Sequence, residues 1–255
     1  MNFSFNAASV VAIAMLACCS SADAQWGTLK GKVVLDGPAP EPLKPLVVQG
    51  DPAAKDAAVC AAQAVPSEKL VFDSKDKGIA NVVVYLVKKP ATVHPDLVKS
   101  KDAEVTFDQK NCRFIPHVMV VRTDQQVRVL SNDPIAHNTH SNPVKNTPDN
   151  FIVPNIDRKG ILMKALSAPE RLPVKVTCDI HPYMEAYWVV VDHPYAAVTD
   201  AEGNFEIANL PVGSHEFIVW HEAAGYLDKK YAVTIKEGTN AEKPLRFTAA
   251  QILKP

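Results

Sequence analysis

Cys178, His181 and Met184 place a thiol, an imidazole and a thioether within seven residues, at the spacing Cys-x2-His-x2-Met. None of the three is an oxygen donor, so the set does not suit calcium or magnesium. A zinc site ordinarily uses four strong nitrogen, sulfur or oxygen ligands and no thioether. A thiolate, imidazoles and a weak axial thioether together select copper. The chain's own counts of Cys, His and Met predict roughly 0.003 chance occurrences of this spacing, so accident explains it poorly. Singly, the three would read as a structural thiol, a surface histidine and core filler. It is their spacing that argues for chemistry.

Two segments must carry these groups. Val174, Val176 and Cys178 alternate with Lys175 and Thr177, the period of a half-buried strand that aims the cysteine at a core. Pro182 and Tyr183 then turn the chain back so that imidazole and thioether can approach the same point. Upstream, Val127 to Leu130 reads as a strand running into the turn Ser131, Asn132, Asp133, Pro134, followed by His137, Asn138 and His140.

At these residues the chain resembles a known family. The stretch Glu104 to Asp192 resembles the small cupredoxins, of the amicyanin and plastocyanin kind, and Cys178 to Met184 has the short Cys-x2-His-Pro-x-Met form of the amicyanin ligand loop. Glu104 to Gln109 resembles the opening strand, Phe114, Ile115 and Pro116 the Phe-x-Pro turn, and His137 with Asn138 the first ligand pair. The resemblance implies a Greek-key β-sandwich holding one mononuclear type 1 copper, with His137, Cys178, His181 and Met184 as ligands. It implies single-electron transfer with a redox partner such as a cytochrome or a periplasmic dehydrogenase, through a His181 edge that reaches the surface. Two departures bear on the surroundings of the ligands. Glu185 and Ala186 stand where the family has glycine, and Asp179 stands where small hydroxyl residues are common.

The remaining histidines add no second reaction centre. His140 lies three residues past His137 and so faces the other side of a strand, a surface or supporting place. His117 reads as a strand-start residue, and His94, His193, His215 and His221 have no partner at ligand spacing. The chain has no His-x-His pair to hold further copper for reducing oxygen or nitrite. Electron carriage is therefore favoured over enzymatic turnover. The alternative is an extracellular binding or structural module whose copper site is vestigial.

A second β organisation surrounds the first. Thr28 to Asp36 and Gly78 to Leu86 read as strands, Ala197 to Ile207 as a hairpin turning at Gly203, and Ser214 to Trp220 as a further strand. In this order they resemble the carboxypeptidase regulatory-like domain, a prealbumin-type sandwich. The fold expected is all-β, with a cupredoxin domain over 103–192 inserted in a sandwich made of 25–92 and 193–255. Asp51 to Val65 is alanine-rich and predicts a short helix or turn around Cys60, while 89–101 and 142–158 read as proline-rich and polar connectors.

Composition limits the functions open to the chain. With 27 Lys+Arg against 28 Asp+Glu it has no basic surplus for nucleic acid, and its 47% apolar content is that of an ordered protein. Residues 1–24 read as a secretory signal peptide, with an apolar run from Ala8 to Leu16 too short to span a bilayer and a small-x-small site at Ala22 and Ala24. Periplasmic or extracellular placement follows, with Cys18 as a candidate lipid-anchor position. Removal of that segment leaves three cysteines of five. In an oxidising compartment Cys60 and Cys112 are expected to pair, leaving Cys178 as the thiolate.

Overall fold

The computed structural model describes Met1 and residues 25–253, so the expected export segment beyond Met1, with Cys18, lies outside the described residues. The fold is all-β, as expected. Among the described residues the helical turns are confined to Ala57–Cys60, Pro95–Leu97 and Ala249–Ile252.

Two hydrophobic cores organise the strands. In the first, Trp26–Asp36 pairs antiparallel with Asn204–Pro211 and parallel with Gly238–Ala241 and Leu245–Thr248. A second sheet runs in the order Ala196–Val198, Val83–Leu86, Gly213–His221, Gly225–Ile235. Leu29, Val33 and Phe205 from the first sheet and Val84 and Phe217 from the second are buried together with Ile79. In the other core, one sheet runs Val118–Arg122, Glu185–Val191, Val174–Thr177, His137–Asn142, Asn150–Val153. The second runs Phe114–Ile115, Glu104–Gln109, Gln126–Val129, Ile161–Leu162. Phe107 fills this core, stacked on Phe114 and edge-on to Trp188, each at 4.9 Å between centroids. An apolar seam of Val83, Tyr85, Val118, Val189, Val191 and Trp220 joins the two bodies of strands.

Three local expectations differ from the structure. The strand read over Gly78 to Leu86 is confined to Val83–Leu86, because Asn81 takes a left-handed conformation (φ 62°) that interrupts it. The expected hairpin around Gly203 is a corner. Ala196–Val198 pairs with Val83–Leu86 while Asn204–Pro211 pairs with Trp26–Asp36, so the chain changes sheets at Gly203. A side chain at Gly203 (φ 79°) would overlap the Val33 carbonyl, which is why glycine stands there. Finally, the supposed connector 142–158 contains the strand Asn150–Val153, which pairs with His137–Asn142 and flanks the sheet that carries the cysteine.

The alanine-rich segment forms its expected short turn, Ala57–Cys60. Its neighbours Val47, Ala61 and Val65 are buried with Tyr183 packed alongside, and Cys60 itself belongs to the core around Phe107. A disulfide joins Cys60 to Cys112, with 5.3 Å between the Cα atoms.

Candidate metal centre

Val174–Thr177 lies between two antiparallel neighbours, Glu185–Val191 and His137–Asn142, and delivers Cys178 just past its last residue. Val174, Val176 and Cys178 are buried as their alternation requires. The chain then makes a tight loop, closed by hydrogen bonds from the Cys178 amide to the Met184 carbonyl (3.2 Å) and from the Met184 amide to the His181 carbonyl (2.9 Å). This loop returns His181 and Met184 toward the sulfur. His137 enters from the first residue of the adjacent strand.

His137, Cys178 and His181 therefore converge, with one ligand atom from each lying within 4.8 Å of the others and all three residues buried. The Nδ1 atoms of His137 and His181 are 3.0 Å apart, and Cys178 Sγ is 3.9 Å from His181 Nδ1. Met184 is buried in the same core, 2% exposed. Three of the four residues singled out in the sequence thus converge, and the fourth is buried in the core that contains Cys178.

The sulfur is held electrostatically. Amide N–H groups of Asn138 (3.5 Å) and His181 (3.4 Å) donate to it. Burial would raise the Cys178 pKa, but hydrogen bonds from His137, His181 and these amides outweigh burial and lower it to about 6. Burial likewise opposes charge on His137, yet its bond to Asp133 and the attraction of Cys178 raise it to about 9. Each shift favours the charged form of its group, so thiolate and imidazolium stabilise one another in the metal-free site.

Asn138 fastens the ligand loop. Its Oδ1 accepts from the amides of Asp179 (2.6 Å) and Ile180 (3.2 Å), and its amide group donates to Asn150 and to Asp179 (2.9 Å each). His140 adds a 3.1 Å contact to Asp179, so its place beside the site is a supporting one. Asp179, unusual in sequence, is thus the carboxylate on which Asn138, Asn150 and His140 converge.

Each imidazole also has a carboxylate on its far nitrogen. His137 Nε2 lies 2.9 Å from Asp133 Oδ2, and His181 Nε2 lies 2.9 Å from Asp56 Oδ2. Such pairs fix the ring and direct Nδ1 inward, where a metal would take the place of any proton it carries. The expected electron port is corrected here. His181 is 0% exposed and its outer nitrogen is spent on Asp56, because the segment around Ala57–Cys60 folds over it. Asp133 was legible as an acid four residues before His137, whereas Asp56, 125 residues from His181, left no local signal.

Cys112, Asp133 and His137 also lie within 4.8 Å of one another, but the sulfur of Cys112 belongs to the disulfide and offers no thiolate. His117 is more than the strand-start residue expected. Its Nε2 lies 2.9 Å from Glu222 Oε1, off the axis of a hydrogen bond, and Nδ1 lies 3.7 Å from Glu68, which Arg113 grips at 2.6 Å. Burial disfavours the charged ring, but Glu222 and Glu68 together raise its pKa above the ordinary value. This group lines a cavity of 110 Å³ that also touches Tyr183 and Met184. His221, wholly buried, is held near 4 by burial.

No protein-family model and no curated protein matches the chain. Several solved structures are similar over part of it. The amicyanin of Paracoccus versutus is 14% identical, covering 42% of this chain and 96% of its own, with a TM-score of 0.28. A purple cupredoxin from Nitrosopumilus maritimus is 16% identical, covering 35% of this chain and 99% of its own (TM-score 0.27). A copper-containing nitrite reductase from Thermus scotoductus is 18% identical over 57% of this chain and 27% of its own (TM-score 0.27).

Proposed function

We propose that this protein is a cupredoxin-type electron carrier that holds one copper ion through His137, Cys178 and His181, with Met184 as the weak axial donor. The observation that carries this reading is the buried convergence of two Nδ1 atoms and one thiolate-forming sulfur, with a methionine from the same loop in the same core. Two imidazoles, a thiolate and a thioether suit copper better than any hard cation. When bound, copper supplies a one-electron couple. The chain's own residues supply the frame. Sheet pairing on both sides of Val174–Thr177 and the Asn138 clasp hold the ligand loop in one arrangement, which keeps rearrangement on electron exchange small. Amides of Asn138 and His181 directed at the sulfur withdraw electron density from it.

The second part of the reading concerns organisation and place. The strands around Phe107 form a copper-binding domain of 103–192 inserted in a carboxypeptidase regulatory-like sandwich of 25–92 and 193–255, with the Cys60 segment of the latter packed into the copper-binding core. The separate cores support this division, since the core around Leu29 draws on both ends of the chain. Export to the periplasm or beyond accords with the disulfide, which persists where thiols are not kept reduced. Among the described residues no helix is long and apolar enough to cross a membrane.

The copper reading is tested by metal content. Full-length mature protein loaded with Cu(II) and freed of excess by gel filtration is expected to retain one copper per chain, and Cys178→Ser to lose tight binding. Equal retention by both proteins would refute the ligand assignment.

A further inference from the structure

The cap over His181 has a construction of its own. Asp56 precedes Ala57–Cys60, where an aspartate ordinarily spends its carboxylate on the amides of the first turn. Here no side-chain cap is made. The backbone carbonyl of Asp56 accepts from Val59 and Cys60 (2.9 Å each), while the carboxylate, freed for other use, meets His181 Nε2. Asp56 sits at φ 52° and ψ 44°, a conformation that costs a residue with a side chain and that re-aims its carboxylate.

The other half of the disulfide is equally particular. Asn111 (φ 55°) and Cys112 (φ 53°) form the two-residue turn between Glu104–Gln109 and Phe114–Ile115, both in the left-handed region that such a turn demands. Their successive amides donate to Asp133, at 2.6 Å from Asn111 and 2.8 Å from Cys112. Asp133 in turn holds His137 Nε2. One covalent bond, Cys60 to Cys112, therefore ties the segment that presents Asp56 to the turn whose amides hold the Asp133 carboxylate.

We propose that Asp56 is a positioning residue for His181, and that the Cys60–Cys112 disulfide braces it so that both imidazoles are oriented by one cross-linked pair of carboxylates. This rests on His137 and His181 being the metal-holding imidazoles, but its consequence is separate. The outer nitrogen of His181 is sealed from solvent and from partners, its proton is kept on Nε2 and its Nδ1 is presented inward. A carboxylate accepting from Nε2–H increases the donor strength of Nδ1 and favours the more highly charged metal state. Substitution of Asp56 then raises the reduction potential of the loaded protein. Opening the disulfide acts in the same direction, through the cap alone.

The test uses the mature full-length protein with Asp56→Asn, Asp56→Ala and the double variant Cys60→Ser/Cys112→Ser. Asparagine tolerates the left-handed region, so Asp56→Asn keeps the backbone while removing the charge. In metal-free protein, long-range 1H–15N spectra at one fixed pH are expected to place the wild-type His181 proton on Nε2. In Asp56→Ala that preference falls roughly tenfold, the loss of one charge-assisted hydrogen bond, and Nε2–H exchanges faster with water. The double cysteine variant shifts the same way. With Cu(II) added, midpoint potentials become more positive in the order wild type, Asp56→Asn, Asp56→Ala. An unchanged His181 tautomer and exchange rate in Asp56→Ala overturns the role of Asp56, and an unchanged double variant overturns the brace. A wild-type protein that binds no copper refutes the copper reading while leaving the metal-free comparison decisive for Asp56.

Discussion

Asp133 Oδ2 touches both halves of this site, accepting the Cys112 amide at 2.8 Å while standing 2.9 Å from His137 Nε2. Burial would raise its pKa, but His137 and the two turn amides hold it below the ordinary carboxylate value, so it is charged whenever the protein is folded at neutral pH. Asp133→Ala is expected to weaken copper affinity by about 10- to 100-fold, the usual effect of losing a partner that orients a ligand. Competition with a chelator of known affinity measures it.

Metal-free protein should ionise Cys178 with a midpoint near 6, well below an ordinary thiol, as read by ultraviolet thiolate absorbance. His137→Ala moves that midpoint upward. A thiol whose folded pKa is depressed contributes above its unfolded value, and that contribution is lost as pH falls through about 6. His137, raised to about 9, contributes below its unfolded value and loses that as pH rises through about 9. Cys178→Ser is therefore expected to cost little stability near pH 5 and progressively more toward pH 8, by denaturant unfolding of the metal-free protein.

The disulfide closes a sequence separation of 52 residues, for which chain entropy gives about 4 kcal/mol. Cys60→Ser/Cys112→Ser should lower the unfolding free energy by up to that amount, visible as a lower denaturant midpoint. An unchanged midpoint would contradict a stabilising role for the bond.

His117 and Glu222 form a nearly buried charge pair, their side chains 8% and 3% exposed. Removal of one partner from such a pair costs about 3–5 kcal/mol. Because the His117 pKa is raised, its contribution is complete below the unfolded value and is lost as pH rises through the folded one. Glu222→Ala should therefore be most destabilising near pH 6 and less so at alkaline pH, by thermal unfolding across that range.

The parts of this site written in short-range pattern were legible before the fold. The alternation of Val174, Val176 and Cys178, the loop to Met184 and the turn before His137 were all readable because each is set by neighbours along the chain. The Cys60–Cys112 bond followed from cysteine arithmetic. The burial of His181 was not readable, since Asp56 arrives from far upstream with a backbone conformation that its type does not announce. The corner at Gly203 was read as a hairpin because a glycine turn between two strands looks the same whether they pair with each other or with different sheets. Glu222 and Glu68, which raise the His117 pKa, come from distant segments and are likewise matters of tertiary packing.

A copper ion bonded to the Cys178 sulfur would show itself in the visible spectrum of the mature protein on addition of Cu(II). An intense thiolate-to-copper band is expected that saturates at one equivalent, bleaches reversibly on one-electron reduction and is absent from Cys178→Ala. A wild-type protein with no such band, or a band that survives Cys178→Ala, would contradict that bond.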